Sequence, residues 1–228
     1  MIEFFKQGLL HRDFYLPPTF DIGAVFFFAL TGTLAAMRRG YDVVGLFAMA
    51  LLTGLGGALI RDGLFLQSGP PALTKDWRFL GAVIAACVAG WVVGRPLERY
   101  QRIIAVLDAI GLGAYGVVGV QKSLAAGLSV PAAVLVGVIN ACGGGLLRDV
   151  ITREEPLVMK PGQFYVVAAV MGCTLFALFS ARTTIPSPLA AAVAIALTFA
   201  VRMLAIVFNW RTAPVQPWSF ETGKPPDR

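Results

Sequence analysis

Seven apolar stretches, each close to the length needed to cross a lipid bilayer, constrain this chain more than any other feature. A membrane-spanning helix needs about 20 consecutive apolar residues. The stretches lie at residues 20–37, 43–66, 78–95, 103–122, 130–151, 162–181 and 187–209. Each must be helical, because an isolated strand in lipid would leave its backbone N–H and C=O groups without partners. The sequence therefore predicts an all-α membrane protein with seven transmembrane helices, numbered as spans one to seven.

The composition agrees with this fold class and excludes several others. Of the 228 residues, 57% are hydrophobic and 14% are charged, whereas soluble proteins carry about 25% charged residues. One soluble core of this size cannot bury so much apolar surface, which excludes a cytosolic enzyme, a secreted disulfide scaffold and a disordered chain.

Motifs for enzymatic chemistry are missing from the sequence. The three cysteines lie in apolar stretches and the single histidine, His11, lies outside them, so no disulfide framework or metal site is predicted. Nucleotide-binding motifs are absent as well. An intramembrane aspartyl protease is disfavoured because Asp62 and Asp149 each follow an arginine, which keeps a carboxylate ionised. The chain is therefore not expected to be an enzyme.

Basic residues are more frequent on one side of the predicted bundle. The chain has 19 Lys and Arg against 13 Asp and Glu, a net charge of +6. They cluster between the apolar stretches, as loop charges do, so nucleic acid is not a predicted partner. Ten basic residues fall on the side of the C-terminus and six on the other side, and the remaining three, Arg61, Arg148 and Arg202, lie inside the apolar stretches. Because cytoplasmic loops are the more basic, we expect a multi-pass protein of the cell (inner) membrane with its N-terminus outside and its C-terminus in the cytoplasm. Residues 1–19 are expected to lie at the interface, and 211–228 to form a disordered tail.

An internal repeat becomes visible when the sequence is aligned with itself at an offset of 87 residues. A Gly-Gly-x-Leu-x-Arg-Asp string occupies both 56–62 and 143–149, and Asp21 aligns with Asp108. Each copy holds three spans, an odd number, so the second copy enters the membrane from the opposite face. Inverted repeats of this kind occur in many transporters, with a functional site near the midplane. The predicted units are a first repeat at 20–102, an inverted second repeat at 103–186 and a seventh helix at 187–210.

The glycine clusters in spans two and five allow two interpretations. Small residues let membrane helices pack closely. Adjacent glycines also weaken a helix, so they can unwind it and expose carbonyl groups to a cation. The second interpretation, a conducting or binding role, is the one we favour. The cluster residues are Gly56, Gly57, Ala58, Gly143, Gly144 and Gly145, and Thr53 and Asn140 are the nearby polar side chains.

Charged residues inside the spans need a partner or a wet cavity. Neighbouring helix residues do not face each other, so Arg61 is expected to pair with Asp149 or Asp108 rather than with Asp62. Arg148 is likewise followed by an aspartate, Asp149. These residues form either a structural salt bridge or part of an ion path.

Three further charged residues have alternative roles. Asp21 and Asp108 are expected to cap helix N-termini rather than to bind an ion. Lys122, at the end of span four, is either an interfacial lysine or a mobile charge that senses voltage or plugs a pore.

Seven spans, the inverted repeat and the doubled glycine cluster followed by Arg-Asp resemble the trimeric intracellular cation (TRIC) channel family, in its prokaryotic branch, also known as the glycine transporter domain family. The resemblance covers residues 20–209. It implies a homotrimer in membrane lipid, with one pore per protomer that conducts monovalent cations, chiefly K⁺ but also Na⁺, and needs no cofactor. The resemblance also implies that spans two and five line the pore and are kinked at the glycine clusters. Ala58 interrupts the first glycine triplet, and Lys122 stands where the family has a basic residue linked to gating.

A carrier for a small zwitterion such as glycine is the alternative function. Paired arginine and aspartate side chains can hold a carboxylate and an ammonium group. Single-channel currents separate the two functions, because a carrier cannot move ions at channel rates.

Overall fold

A computed structural model describes residues 15–67, 69–93, 100–160, 164–182 and 185–210, and within these ranges every regular element is helical. Predictions for the N-terminal segment before residue 15 and for the tail after residue 210 lie outside the described residues. The elements are α1 (Pro18–Arg38), α2 (Val43–Ile60), a π-helical turn (Arg61–Leu66), α3 (Ala72–Lys75), α4 (Trp77–Val93), α5 (Tyr100–Ala125), α6 (Val130–Ile151), α7 (Tyr165–Arg182) and α8 (Ser187–Val207).

Seven of these helices correspond to the seven predicted spans. Five are long and apolar enough to cross a membrane: α1, α2 with its π-helical turn, α5, α6 and α8. The other two, α4 and α7, are shorter apolar helices, and α3 has four residues. The predicted class, an all-α membrane protein of seven helices, is confirmed. The predicted end of span three and start of span six lie outside the described residues.

Several helix ends follow from local sequence. The Asp42 side chain accepts a hydrogen bond from the Gly45 amide at 2.8 Å and so caps the start of α2. Gly40 after α1 and Gly127 after α5 have φ angles of +72° and +85°, a left-handed conformation that glycine adopts without steric cost. These two glycines lie 87 residues apart, so both copies of the repeat stop their first helix in the same way.

Helix packing reproduces the repeat in three dimensions. In the first copy α1 packs against α2 and α4, and in the second copy α5 packs against α6 and α7. Across the copies α1 meets α5 and α2 meets α6, while α8 packs on α5 and α7. The fold is therefore an inverted repeat of three plus three helices with one added helix.

The approximate two-fold axis runs through the centre of the core. Phe28 and Tyr115 are equivalent under the 87-residue shift, and a residue contacts its own equivalent only near such an axis. Their ring centroids lie 5.3 Å apart, and both side chains are fully buried. The axis therefore passes between these two rings.

Candidate functional site

The glycine clusters form the contact between α2 and α6. A Cβ atom on Gly57 would overlap the carbonyl oxygen of Asn140, and one on Gly144 would overlap the carbonyl oxygen of Thr53. These two contacts are equivalent, because Gly57 matches Gly144 and Thr53 matches Asn140 under the 87-residue shift. A Cβ on Gly143 would also lie 2.9 Å from the Gly57 Cα. The clusters thus let two helix backbones touch near the axis.

The predicted unwinding at the clusters is wrong for this structure. Backbone geometry is α-helical from Val43 to Ile60 and from Val130 to Ile151, which includes both clusters. A glycine weakens an isolated helix by about 1 kcal/mol relative to alanine. Here the partner helix packs directly on the glycine backbone, and this packing holds the helical conformation.

Irregular backbone instead follows the first cluster, in the π-helical turn Arg61–Leu66. A π-helical turn accommodates one extra residue in an α-helix. The positive-φ residues that end the two helices are Gln67 (φ 45°) and Arg153 (φ 55°), 86 residues apart rather than 87. The first copy therefore carries one additional residue, and the π-helical turn absorbs it.

Arg61 pairs with its own neighbour, which corrects the predicted partner. Its side chain is fully buried, with Nε 2.7 Å from Asp62 Oδ1 and Nη2 3.0 Å from Asp62 Oδ2. The Nη1 atom donates to Asn140 Oδ1 at 3.4 Å. The arginine stem is long enough to fold back along the helix surface, so a bidentate pair forms between adjacent residues.

Arg148 has a different set of partners, including one from across the bundle. Its Nη1 atom lies 2.9 Å from Asp108 Oδ1 on α5 and 3.1 Å from Thr31 Oγ1 on α1. Its Nη2 atom lies 2.9 Å from Asp149 Oδ1, and Asp149 Oδ2 accepts the Leu157 amide at 3.1 Å. This buried cluster connects the end of α6 to α1, α5 and the following loop.

Asp21 and Asp108 are not helix caps, contrary to the prediction. Pro17 is the N-cap residue of α1, and Asp108 lies inside α5. Asp21 Oδ2 lies 2.5 Å from Lys122 Nζ. Lys122, predicted as an interfacial or mobile charge, has a side chain that is 32% exposed and holds this buried carboxylate.

Two cavities open at opposite ends of the bundle. The Asp108 cavity, about 300 Å³, lies where α1 and α6 end, and its lining includes Asp108, Arg148, Glu154 and Lys160. Arg38 pairs with Glu154 at its rim. Ala35, on α1, also lines this cavity.

The Asp21 cavity, about 200 Å³, lies where α1 begins, and its lining includes Asp21, Lys75, Gln121 and Lys122. The two cavities are equivalent in the repeat, since Asp21 matches Asp108. They differ in charge because Lys122 matches Ala35. At the edge of this cavity, hydrogen bonds from Arg78 lower the pKa of the Asp76 carboxyl, which keeps it ionised.

Between the cavities lies a polar centre that sequence reasoning missed in part. The Tyr115 hydroxyl donates to the carbonyl oxygen of Gly54, and Asn140 Nδ2 donates to the Tyr115 carbonyl oxygen at 2.6 Å. Asn140 was predicted, but Tyr115 was not. The repeat alignment could have indicated Tyr115, because this polar aromatic residue takes the place of the apolar Phe28 in the other copy.

Comparisons with known proteins support the repeat and identify the family. A family model described as "Glycine transporter" matches residues 18–95 and 105–181. The UPF0126 inner membrane protein YadS of Escherichia coli (strain K12) is 30% identical over 187 residues, covering 82% of this chain and 89% of YadS. A UPF0126 membrane protein of Deinococcus radiodurans is 31% identical over 67% of this chain and 71% of its own length.

Solved structures of membrane proteins are also similar to this chain. A TRIC trimeric intracellular cation channel orthologue from Rhodobacter sphaeroides is 30% identical, with a TM-score of 0.76 over 83% of this chain and 96% of that chain. The chain belongs to the TRIC channel family. Another TRIC cation channel structure is 29% identical, with a TM-score of 0.74 over 89% of this chain and 98% of that chain. TRIC relatives are channels or membrane proteins, in agreement with the expectation that this chain is not an enzyme.

Proposed function

We propose that this protein is a cation channel of the cell membrane. The observation that carries the proposal is the likeness to the Rhodobacter sphaeroides TRIC cation channel, at 30% identity over 96% of that chain. The two cavities agree with it, because they approach the polar centre from opposite ends of the bundle. Cation conduction requires such a wet approach from both sides of a membrane.

The conducting path is proposed to run within one protomer, between α2 and α6. In the conformation described, the backbones of Gly57 and Gly144 are packed against the facing helix, which corresponds to a closed path. Opening separates these two helices at the glycine contact and lets water reach Thr53 and Asn140. The glycine clusters serve this motion because no side chain has to be withdrawn from the contact.

The permeant ions are proposed to be K⁺ and Na⁺. The polar groups near the axis are an amide, hydroxyls and backbone carbonyls rather than a ring of carboxylates, and oxygen atoms of this kind replace part of the hydration shell of a monovalent ion. Selectivity between the two ions is expected to be weak.

A homotrimer is proposed for the assembly, with one path in each protomer, and membrane lipid surrounds it. The support is the trimeric name of the Rhodobacter sphaeroides relative. The YadS relative is an inner membrane protein. We propose that the C-terminus is in the cytoplasm and the N-terminus outside, and the excess of basic residues on the C-terminal side supports this orientation.

A carrier for glycine is the second candidate. It is favoured by the description of the family model and by the mixture of arginine and carboxylate side chains around the Asp108 cavity. The arginine side chains can bind the carboxylate group of a zwitterion, and the carboxylate side chains can bind its ammonium group.

Planar-bilayer recording of the purified protein in asymmetric KCl tests the channel. We expect unitary currents that reverse near the K⁺ equilibrium potential. Saturable uptake of labelled glycine into proteoliposomes, without unitary currents, would replace the channel by the carrier.

A further inference from the structure

Arg61 and Arg148 are equivalent in the repeat, and each binds the aspartate that follows it through Nε and Nη2. The two arginines differ in the partner of the remaining guanidinium nitrogen, Nη1. In the second copy, Arg148 Nη1 lies 2.9 Å from Asp108 Oδ1. In the first copy, Arg61 Nη1 donates to Asn140 Oδ1 at 3.4 Å, in the polar centre. One nitrogen atom thus has two alternative partners in an otherwise repeated arrangement.

Lys122 explains why Arg61 does not use the aspartate of its own copy. Asp21, the equivalent of Asp108, already has the Lys122 ammonium group 2.5 Å from its Oδ2 atom. In the second copy an alanine takes the place of this lysine, and the arginine supplies the positive charge instead. Both aspartates are buried, and a buried carboxylate needs a cationic partner. The lysine therefore satisfies the carboxylate that the arginine would otherwise bind.

Asp21 lies within reach of the Arg61 guanidinium group. Its charge acts electrostatically on Arg61, and the equivalent pair in the second copy is a direct hydrogen bond of 2.9 Å. Turning Nη1 towards Asp21 does not require loss of the pair with Asp62, because Arg148 binds both of its aspartates at once. The exchange of partners therefore needs a rotation at the end of one side chain rather than a movement of a helix.

A second difference between the copies favours the lysine at Asp21. Arg148 Nη1 also lies 3.1 Å from Thr31 Oγ1, and the residue equivalent to Thr31 is Val118, whose side chain has no acceptor. A guanidinium group at Asp21 would therefore make one hydrogen bond fewer than Arg148 makes. This difference leaves the aspartate to the lysine in the arrangement described.

We infer that Arg61 is a positioning residue that links Lys122 to the polar centre. While Lys122 holds Asp21, Arg61 Nη1 holds Asn140 Oδ1. When Lys122 leaves, Nη1 turns to Asp21, which has lost its cation, and releases Asn140. The second copy shows the arrangement that the first copy then adopts.

The release of Asn140 affects conduction because the proposed path runs past this residue. An amide oxygen that accepts a hydrogen bond from a guanidinium group is not available to a cation, and the positive charge beside it repels a cation. The exchange moves that charge towards the Asp21 cavity and frees the oxygen. This role in conduction rests on the proposed function, whereas the exchange of partners does not.

A structure of full-length Lys122→Ala tests the exchange directly. We expect Arg61 Nη1 within about 3 Å of the Asp21 carboxylate and no longer bonded to Asn140. Lys75→Ala removes another lysine that lines the Asp21 cavity, and as the matched control it should leave Arg61 on Asn140. An Arg61 side chain that keeps Asn140 as its partner in Lys122→Ala would overturn the inference.

Ala35→Lys is the converse test in the second copy, and it removes no charged group. Ala35 lines the Asp108 cavity, so the longer side chain has room. The introduced ammonium group should bind Asp108 as Lys122 binds Asp21, and Arg148 Nη1 should leave Asp108. If Arg148 stays on Asp108, the lysine does not determine the partner of the arginine.

Thermal unfolding of the detergent-solubilised protein measures whether Lys122 and Asn140 are coupled. In wild type, Asn140→Ala removes the bond from Arg61, whereas in Lys122→Ala this bond is already absent. The fall in melting temperature caused by Asn140→Ala should therefore be about 2–4 °C smaller in the Lys122→Ala background, the shift produced by one hydrogen bond in a chain of this size.

Thr53→Ala is the matched control for this cycle. Thr53 is equivalent to Asn140, and within the described part of the chain its Oγ1 atom has no hydrogen-bond partner. The effects of Thr53→Ala and Lys122→Ala should therefore add, as effects of independent sites do. Additive effects of Asn140→Ala and Lys122→Ala would contradict the link through Arg61.

The exchange of partners and the channel can fail separately. An Arg61 side chain that turns to Asp21 in Lys122→Ala, in a protein that gives no unitary currents, would retain the exchange and refute the channel. Unitary currents from a protein whose Arg61 stays on Asn140 in Lys122→Ala would retain the channel and refute the exchange.

Discussion

The hydroxyl of Tyr115 donates a hydrogen bond to the backbone carbonyl of Gly54, which joins α5 to α2 at the centre of the fold. Phe28, its equivalent in the first copy, has no hydroxyl to make the matching bond to α6. The second copy is therefore bonded to the first through the Tyr115 hydroxyl, and the first copy makes no equivalent bond through Phe28. If the conducting path opens by separation of α2 from α6, this bond resists opening.

Tyr115→Phe is expected to favour the open state. One neutral hydrogen bond contributes about 1 kcal/mol, which corresponds to an approximately fivefold higher open-to-closed ratio in single-channel recordings. The exposed Tyr41→Phe serves as the control. An open probability equal to that of wild type would show that the bond plays no part in opening.

Any side chain at the glycine contact should push α2 and α6 apart. Gly57→Ala and Gly144→Ala each place a methyl group against a carbonyl oxygen of the partner helix, and overpacking of this kind costs about 1–3 kcal/mol. We expect both variants to melt at lower temperature and to do so by similar amounts, because their contacts are equivalent. Gly23→Ala is the control, since nothing lies within 4 Å of its added Cβ.

Leucine at both Gly57 and Gly144 should abolish K⁺ flux in proteoliposomes, because the two large side chains fill the gap between α2 and α6 through which the path is proposed to run. The oligomer should persist in size-exclusion chromatography. Unchanged conductance in this double variant would refute the proposed path between α2 and α6.

Lys122 is expected to contribute to voltage dependence. A unit charge that crosses the whole membrane field changes the free energy by about 2.3 kcal/mol per 100 mV, and Lys122 must leave Asp21 to move. Lys122→Ala should therefore shift the curve of open probability against voltage. Lys75→Ala removes a charge at the same cavity and should leave that curve in place; identical curves for Lys122→Ala and wild type would exclude Lys122 from gating.

Deletion of Gly63 tests the role of the π-helical turn. The turn contains one residue more than the second copy has, and a Cβ at Gly63 would meet nothing within 4 Å. The deletion should let α2 continue as an α-helix, with a small change in melting temperature. Deletion of the equivalent Val150, also exposed, should be far more damaging, because it displaces Thr152 and Leu157 from their bonds to α6. Equal losses would show that the turn does not act as an insertion.

Helix positions were predictable because a membrane imposes strong limits on length and polarity. Span five, predicted at 130–151, coincides with α6, and the repeat followed from a doubled string of glycine, arginine and aspartate. Both signals are local in sequence. They do not depend on knowing which helix faces which.

Side-chain partners were less predictable because they depend on that packing. Arg61 and Arg148 have the same neighbours in sequence, yet only Arg148 reaches Asp108. Near Arg61, Lys122 already holds Asp21, so Arg61 pairs with Asp62. The glycine clusters illustrate the same limit: their low helix propensity suggested unwinding, but contact with the partner helix outweighed it.

Two identical halves inserted in opposite directions would give a molecule with indistinguishable ends. The substitution of a lysine at position 122 for the alanine found at position 35 removes that equality. At this one position, an ion arriving from one face meets an ammonium group, and an ion arriving from the other face meets a methyl group. The two entrances therefore differ in charge, and currents in symmetric salt should rectify.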